Sequence, residues 1–176
     1  MREASPGTIY LKDYTPPDFL IARTDLHFEL FEDHALVHAQ LHVQRNTALA
    51  PGGSEALQLH GQELQLEALS IDGRALAADS YEVDAHGLRI PAVPDAFLLA
   101  CTTRIRPQDN TSLEGLYKSR TMFCTQCEAE GFRKITYYLD RPDVMNALNT
   151  QLRAELTHAV QEAGKSSRAV VITGVG

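Results

Sequence analysis

Two neighbouring stretches near the start of the chain alternate apolar and polar residues with a period of two. The first, in residues 24–30, places Leu26, Phe28 and Leu30 on one face. The second, in residues 35–45, has the apolar face Val37, Ala39, Leu41 and Val43 opposite the polar face His38, Gln40, His42 and Gln44. Strict alternation is typical of strands with one buried face, so the pair predicts an antiparallel hairpin that turns near Asp33 and His34.

The length of that turn decides which residues face each other. A two-residue turn would pair Leu30 with Val37, Phe28 with Ala39 and Leu26 with Leu41, and on the polar face Glu29 with His38. Only this register, or one shifted by two residues, keeps both apolar sets on the same face.

Short strand-like stretches continue along the chain as ALQLHG, LQLEALSI, RALAA, LRIPAV, FLLACTTRI and RKITYYL. Asp72-Gly73, between two of them, is a strong hairpin signal. We interpret residues 108–121 as a loop with at most one short helical turn. Many short strands at this spacing predict a mainly β fold, an antiparallel sandwich or open barrel.

The pattern changes near the C-terminal end of the sequence. Leu148, Leu152, Leu156 and Val160 recur every four residues, which predicts an amphipathic helix. The run RAVVIT follows as a predicted strand, typical of one buried on both faces. With RKITYYL before the helix, residues 134–173 predict a βαβ-like α/β tail.

Composition narrows the location and partners of the chain. The net charge is −7, and residues 146–176 hold three basic residues against two acidic ones, so the acidic excess lies in residues 1–145. An acidic chain repels phosphates, which argues against nucleic-acid binding. Three cysteines, with no apolar run long enough for a signal peptide or a membrane span, predict a cytoplasmic protein with no membrane partner.

Candidate chemistry is sparse among the motifs. His38 and His42 lie four residues apart on one strand face, about 13 Å at ~3.3 Å per residue, which is too far for one zinc ion and indicates a solvated face. Cys124 and Cys127 form a CxxC that could be half a zinc site or a redox pair, but structural or incidental cysteines are favoured. The terminal VVITGVG is a weak phosphate-loop signal. No HExxH, GxSxG or Walker A motif occurs, so no catalytic or metal residue is assigned.

The segments LEGLY, CTQCEAEGFR and ITYYLDRPDV, with YLKDYTPPDFLIARTDLHFELF upstream, resemble the N-terminal domain of bacterial aminopeptidase N, a branch of the M1 zinc metallopeptidases. The resemblance covers roughly residues 8–145 and implies a saddle-like antiparallel β-sandwich. It implies that Glu128 binds the free α-amine of a peptide N-terminus and that Gln126 contacts its first side chain. Zinc in that family belongs to a following catalytic domain, so none is predicted to bind this chain, and the chain alone is expected to be inactive.

The segment LDRPDVMNALNTQLRAELTHAVQEAGKSSRAVVITGVG is similar instead to the start of an enoyl-CoA hydratase (crotonase) protein. The resemblances predict a β domain over residues 1–145, incomplete at its C-terminal end, and a helix-strand fragment over residues 146–176. The unpaired sandwich edge then predicts self-association, unless the tail helix docks on it. Two alternative functions stay open: a non-catalytic β-sandwich interaction module, and a fragment of an enoyl-CoA hydratase or isomerase.

Overall fold

The computed structural model describes residues 17–48, 56–128 and 130–139 in full, and the backbone of residues 169–175. In the described residues eleven strands form three antiparallel sheets. The strands are β1 (Phe19–Leu30), β2 (Ala35–Arg45), β3 (Leu57–His60), β4 (Gln65–Ile71), β5 (Arg74–Ala75), β6 (Glu82–Val83), β7 (Gly87–Ile90), β8 (Ala96–Ile105), β9 (Gly115–Ser119), β10 (Met122–Gln126) and β11 (Ala169–Val175).

The largest sheet has six strands in the order β11-β1-β2-β8-β4-β5, beside a three-stranded sheet β3-β7-β6 and the hairpin β10-β9. Apolar residues of the first two sheets belong to a single buried cluster, for example Leu41 and Leu99 from one sheet and Leu59 and Leu88 from the other. The two sheets thus share one core. The observed fold is the mainly β, antiparallel sandwich that the alternation predicted. No helix among the described residues is long and apolar enough to cross a membrane.

The first hairpin forms as predicted, but with a longer turn. Its buried face is the predicted one, since Phe28, Val37 and Leu41 are all almost fully buried. Phe28 pairs with Val37 rather than Ala39, and Leu30 pairs with Ala35 rather than Val37. The observed register is thus the alternative shifted by two residues. The two-residue turn was wrong, because residues 31–34 form the turn, closed by a hydrogen bond from the Phe31 amide to the His34 carbonyl (2.9 Å).

The Asp72-Gly73 hairpin is confirmed between β4 and β5. Both turn residues have positive φ, 49° and 77° respectively. Positive φ at both central positions is the signature of the turn whose twist matches two antiparallel strands.

Two predictions between residues 108 and 139 were wrong. The segment interpreted as a loop contains β9, which pairs with β10 across a tight turn at Arg120, whose φ is 56°. The segment RKITYYL is not a strand: Gly131–Lys134 is a 3₁₀ turn, and Tyr138 makes a single bridge to His60. Ile135, Thr136 and Tyr137 are nevertheless buried, so the apolar run reflects burial without sheet pairing.

The tail prediction is partly tested. The strand predicted from RAVVIT forms as β11, at the edge of the six-stranded sheet and antiparallel to β1. The predicted helix over residues 147–163 lies outside the described residues. A βαβ unit needs two parallel strands of one sheet. The first of the predicted strands, residues 133–139, has, within the ranges described, only the bridge from Tyr138 to His60, and β11 pairs antiparallel with β1.

Candidate functional site

The structure places Gln126 and Glu128 together at one end of the β9–β10 hairpin. Gln126 is the last residue of β10 and pairs with Gly115, the first residue of β9. Glu128 lies two residues later, in the turn that leads into the 3₁₀ turn. Both side chains are exposed. A neutral amide and a carboxylate are thus presented to solvent from one short turn, which is the combination that can accept hydrogen bonds from a cationic ligand.

Gly131 fixes the backbone under this pair. A β-carbon at position 131 would lie 2.2 Å from the Gln126 carbonyl oxygen and 2.8 Å from the Gly115 amide nitrogen. The Gly131 amide also donates a hydrogen bond to the Cys127 carbonyl (3.2 Å). The chain from Gln126 to Gly131 is therefore folded back on itself, with space only for hydrogen where it crosses β10.

Lys134 anchors the same turn from the other side. Lys134 is only 9% exposed. Its ammonium donates a hydrogen bond to Ser112 Oγ (3.0 Å) and forms an ion pair with Glu114 Oε2 (3.1 Å). A β-carbon on Gly115, whose φ is +70°, would lie 2.8 Å from Lys134 Cβ. The start of β9 is consequently held against the 3₁₀ turn, whose last residue is the buried and satisfied Lys134, so the hairpin that carries Gln126 has a fixed base.

Burial makes Cys127 of the CxxC motif a poorly reactive thiol. Cys124 and Cys127 are both free thiols. Burial, and then the negative charge of Glu128, raise the pKa of Cys127 to about 11. A thiol that stays protonated at neutral pH is a poor nucleophile. Within the described part of the chain, no three His, Cys, Asp or Glu side chains come together in a way that could hold a metal ion.

The histidines of the first hairpin form part of a polar outer sheet face, as predicted. His38 contacts Thr102 Oγ1 through Nδ1 and Glu29 Oε1 through Nε2, both at 3.0 Å. His42 is exposed, with its Nε2 4.0 Å from an Asp25 carboxylate oxygen. The contact between Glu29 and His38 forms diagonally, although their backbones are not paired.

The sequence reasoning missed Gly131 and Lys134, which position the candidate pair. The signal for Gly131 was present in GFRK, where a glycine directly follows the acidic stretch and precedes a buried aromatic segment. Lys134 carries no such local signal, because its carboxylate and hydroxyl partners lie some twenty residues earlier.

Comparison with known proteins gives this geometry a context. The chain is 46% identical over 155 residues to aminopeptidase N from Caulobacter vibrioides, and 42% identical over 151 residues to aminopeptidase N from Escherichia coli. These matches cover 88% and 85% of the chain. Most of the chain is therefore similar in sequence to part of aminopeptidase N. The chain spans only 18% and 17% of the length of those aminopeptidase N relatives, and no protein-family model matches it.

Two solved structures share the fold of this chain. The chain superposes with a TM-score of 0.68 and 28% identity on Legionella pneumophila aminopeptidase A, solved in complex with aspartic acid, over 73% of this chain and 15% of that one. An M1 zinc metallopeptidase from Deinococcus radiodurans, solved with a Tyr-Ser-Ala substrate, shares the fold with a TM-score of 0.56 at 15% identity, over 70% of this chain and 30% of that one.

A second similarity concerns a shorter part of the chain. A probable enoyl-CoA hydratase from Rhodobacter capsulatus is 54% identical over 48 residues, which is 27% of this chain and 18% of that protein. The 155-residue match to aminopeptidase N and this one together exceed the length of the chain, so they overlap. Overlap is what a segment compatible with both families produces.

Proposed function

We propose that this chain is the substrate-binding N-terminal domain of an M1 zinc aminopeptidase, which removes N-terminal residues from peptides. The likeness to aminopeptidase N over most of the chain carries this proposal. The exposed pair Gln126 and Glu128, held on a clamped turn, supports it, because a recognition wall has to present fixed polar groups to its ligand.

The proposed chemistry of the pair follows from what an exopeptidase must recognise. A peptide N-terminus differs from an internal residue by its α-ammonium group. A carboxylate at Glu128 accepts charge-assisted hydrogen bonds from that ammonium, and these bonds strengthen where the docked peptide excludes water. The Gln126 amide adds neutral hydrogen bonds beside the first side chain.

We assign no catalytic step to this chain. The sequence contains no HExxH motif, and no group of metal ligands occurs in the described residues. Zinc binding and the activation of water are therefore proposed for a separate catalytic domain. The chain alone, supplied with zinc and an aminoacyl chromogenic substrate, should give no turnover above a heat-denatured sample.

The decisive experiment uses a hybrid enzyme. The matching region of Caulobacter vibrioides aminopeptidase N is replaced by the corresponding residues of this chain, and kcat and KM are measured for an aminoacyl chromogenic substrate. Glu128→Gln should lower kcat/KM roughly 10- to 150-fold, the equivalent of about 1.5–3 kcal/mol for a hydrogen bond to a charged group.

Glu130→Gln is the matched control for this measurement. Glu130 is also exposed, lies two residues away, and pairs with Arg133 at 3.0 Å on the surface. Exposed ion pairs contribute little, so this change should alter kcat/KM by no more than about twofold. Equal losses in the two variants, with both hybrids folded, would show that Glu128 has no specific role in substrate binding.

We further propose that the chain joins two ancestries, with the junction within residues 139–146. The aminopeptidase-like part is then residues 1–145 and the enoyl-CoA hydratase-like part residues 146–176. The 54% identity over 48 residues supports a hydratase-like part. The 155-residue match to aminopeptidase N extends at least ten residues beyond residue 145, so the comparisons do not themselves place the boundary. A cytoplasmic location fits the three free cysteines.

A further inference from the structure

The outer edge of β1 is covered by a strand from the far end of the chain. β11 pairs with it antiparallel over seven residues, from Arg23 opposite Val175 to Glu29 opposite Ala169. On its other side β1 pairs with β2. β1 is therefore an internal strand of the six-stranded sheet only because β11 is present.

Among the strands that the structure describes, no other would cover this edge of β1 if β11 were absent. β1 has twelve residues, and an unprotected edge of that length offers a row of unpaired backbone groups to any extended segment. The ladder between β1 and β2 is interrupted between Ile21 and Arg23. The pairing with β11 begins at Arg23, immediately after this irregularity, so β11 covers the regular part of the edge.

The occupying segment has the composition of an independent strand former. Its sequence is AVVITGV, in which five of seven residues are β-branched and none is charged. Such residues fit a pleated surface, and their stiff side chains lose little freedom in an extended backbone. Backbone hydrogen bonds supply the affinity in this kind of strand addition.

The register also matches the core of the sandwich. Leu26 and Phe28 are the two β1 residues in the covered stretch that are almost fully buried, at 5% and 7% exposure. Ile172 and Val170 occupy the register positions opposite them. A slip by one residue would exchange the two faces of the added strand, so the buried residues of β1 favour one register.

We propose that the β1 edge is a binding site for an extended, β-branched apolar peptide, and that residues 169–175 of the same chain are its resident ligand. Recognition comes from the backbone groups of β1 that β11 covers and from the register at Leu26 and Phe28, and does not require a covalent connection. The self-association predicted from the sequence is then expected only where this strand is missing. This proposal does not depend on the peptidase function.

The test separates the site from its ligand. A chain ending at residue 168 is titrated with a fluorescent peptide of sequence AVVITGV extended by two lysines for solubility, and binding is followed by anisotropy. Saturable binding is expected. The full chain should bind the same peptide at least about tenfold more weakly, because its own strand competes at the roughly millimolar effective concentration of a tethered ligand.

A peptide with proline in place of both Val170 and Val171 is the control. Successive backbone N–H groups point to opposite edges of a strand. Two consecutive prolines therefore always remove one donor that would face β1, whichever of the two residues faces it. Its binding should be at least about tenfold weaker than that of the parent peptide. Equal binding of the two peptides would overturn recognition through the backbone.

A second acceptor protects the test against misfolding of the shortened chain. The full chain carrying Val170→Pro and Val171→Pro should release its own strand and bind the parent peptide more tightly than the unsubstituted chain does. If neither acceptor binds the peptide while its circular dichroism stays that of a β protein, the site does not exist. A full chain that is dimeric through exchanged C-terminal strands would overturn the assignment of the ligand to the same chain.

Discussion

Replacing Gly131 with alanine tests how rigidly the candidate pair is held. The added methyl group would lie 2.2 Å from the Gln126 carbonyl oxygen and 2.8 Å from the Gly115 amide nitrogen, both well inside van der Waals contact. Both neighbours are backbone atoms, so neither can move aside by a change of rotamer. Gly131 is not among the described residues with positive φ, so the steric overlap alone carries the expected cost.

Forced overpacking of this kind costs typically 1–3 kcal/mol. Because two backbone segments have to separate, we expect Gly131→Ala to lie at the upper end, about 2–3 kcal/mol, measured as the loss of unfolding free energy in urea. For a chain of this size that corresponds to a Tm roughly 4–12 °C lower. In the hybrid enzyme the same variant should lower kcat/KM, since the Gln126 backbone shifts with the contact.

Gly73→Asn supplies the comparison. A β-carbon at position 73 meets nothing within 4 Å, and asparagine tolerates the left-handed conformation that φ +77° requires. This change should cost less than about 1 kcal/mol. If Gly131→Ala were as mild as Gly73→Asn, Gly131 would not lie as close to Gln126 and Gly115 as described. The turn that carries Gln126 and Glu128 would then not be rigidly held.

Two further predictions concern titration. The amides of His86 and Gly87 donate to the Asp84 carboxylate and lower its pKa. Stability from this group is therefore present above the ordinary aspartate pKa and lost as pH falls through the lower folded value. The unfolding free energies of wild type and Asp84→Asn should converge in that acidic range; a gap of constant size down to pH 2 would contradict the assignment. Burial and Glu128 raise the pKa of Cys127 to about 11, so its alkylation by iodoacetamide at pH 8 should be far slower than that of free cysteine and should accelerate up to about pH 11. A rate that is flat above pH 7, followed by peptide mass spectrometry, would show a thiolate already formed.

Alternation and turn chemistry were enough to predict the central strands. In β2, Val37, Ala39, Leu41 and Val43 are buried on one face, as the period of two required. The positive φ values at Asp72 and Gly73 match a turn that an Asp-Gly pair favours on its own. These are local signals, since each depends on a few adjacent residues.

The missed elements depend on contacts between distant residues. β9 does not alternate, because Gly115 and Leu116 are both buried where the strand packs on the 3₁₀ turn. RKITYYL has the composition of a strand, yet its buried residues pack with only one bridge, from Tyr138 to His60. A short apolar run does not by itself distinguish these cases.

The candidate site also combines features that the sequence indicates with features that only the structure shows. Composition and spacing gave no reason to single out Glu128 among the acidic residues of the chain; the resemblance to a known family did so. The structure then added what neither supplied, namely that Gly131 and Lys134 hold the turn from below. Such support becomes visible only when residues 112–115 and 131–134 are brought together.

Because Lys134 is buried, its reactivity reports whether the 3₁₀ turn stays packed against β9. Amine-acylating reagents need an accessible nitrogen, and the Lys134 side chain is 8% exposed. Lys118, half-buried on β9 with its amine 5.4 Å from the centre of the Phe123 ring, is more accessible. In the folded protein, acylation should therefore modify Lys118 much faster than Lys134. Acylation of Lys134 would show that residues 110–115 had separated from the 3₁₀ turn.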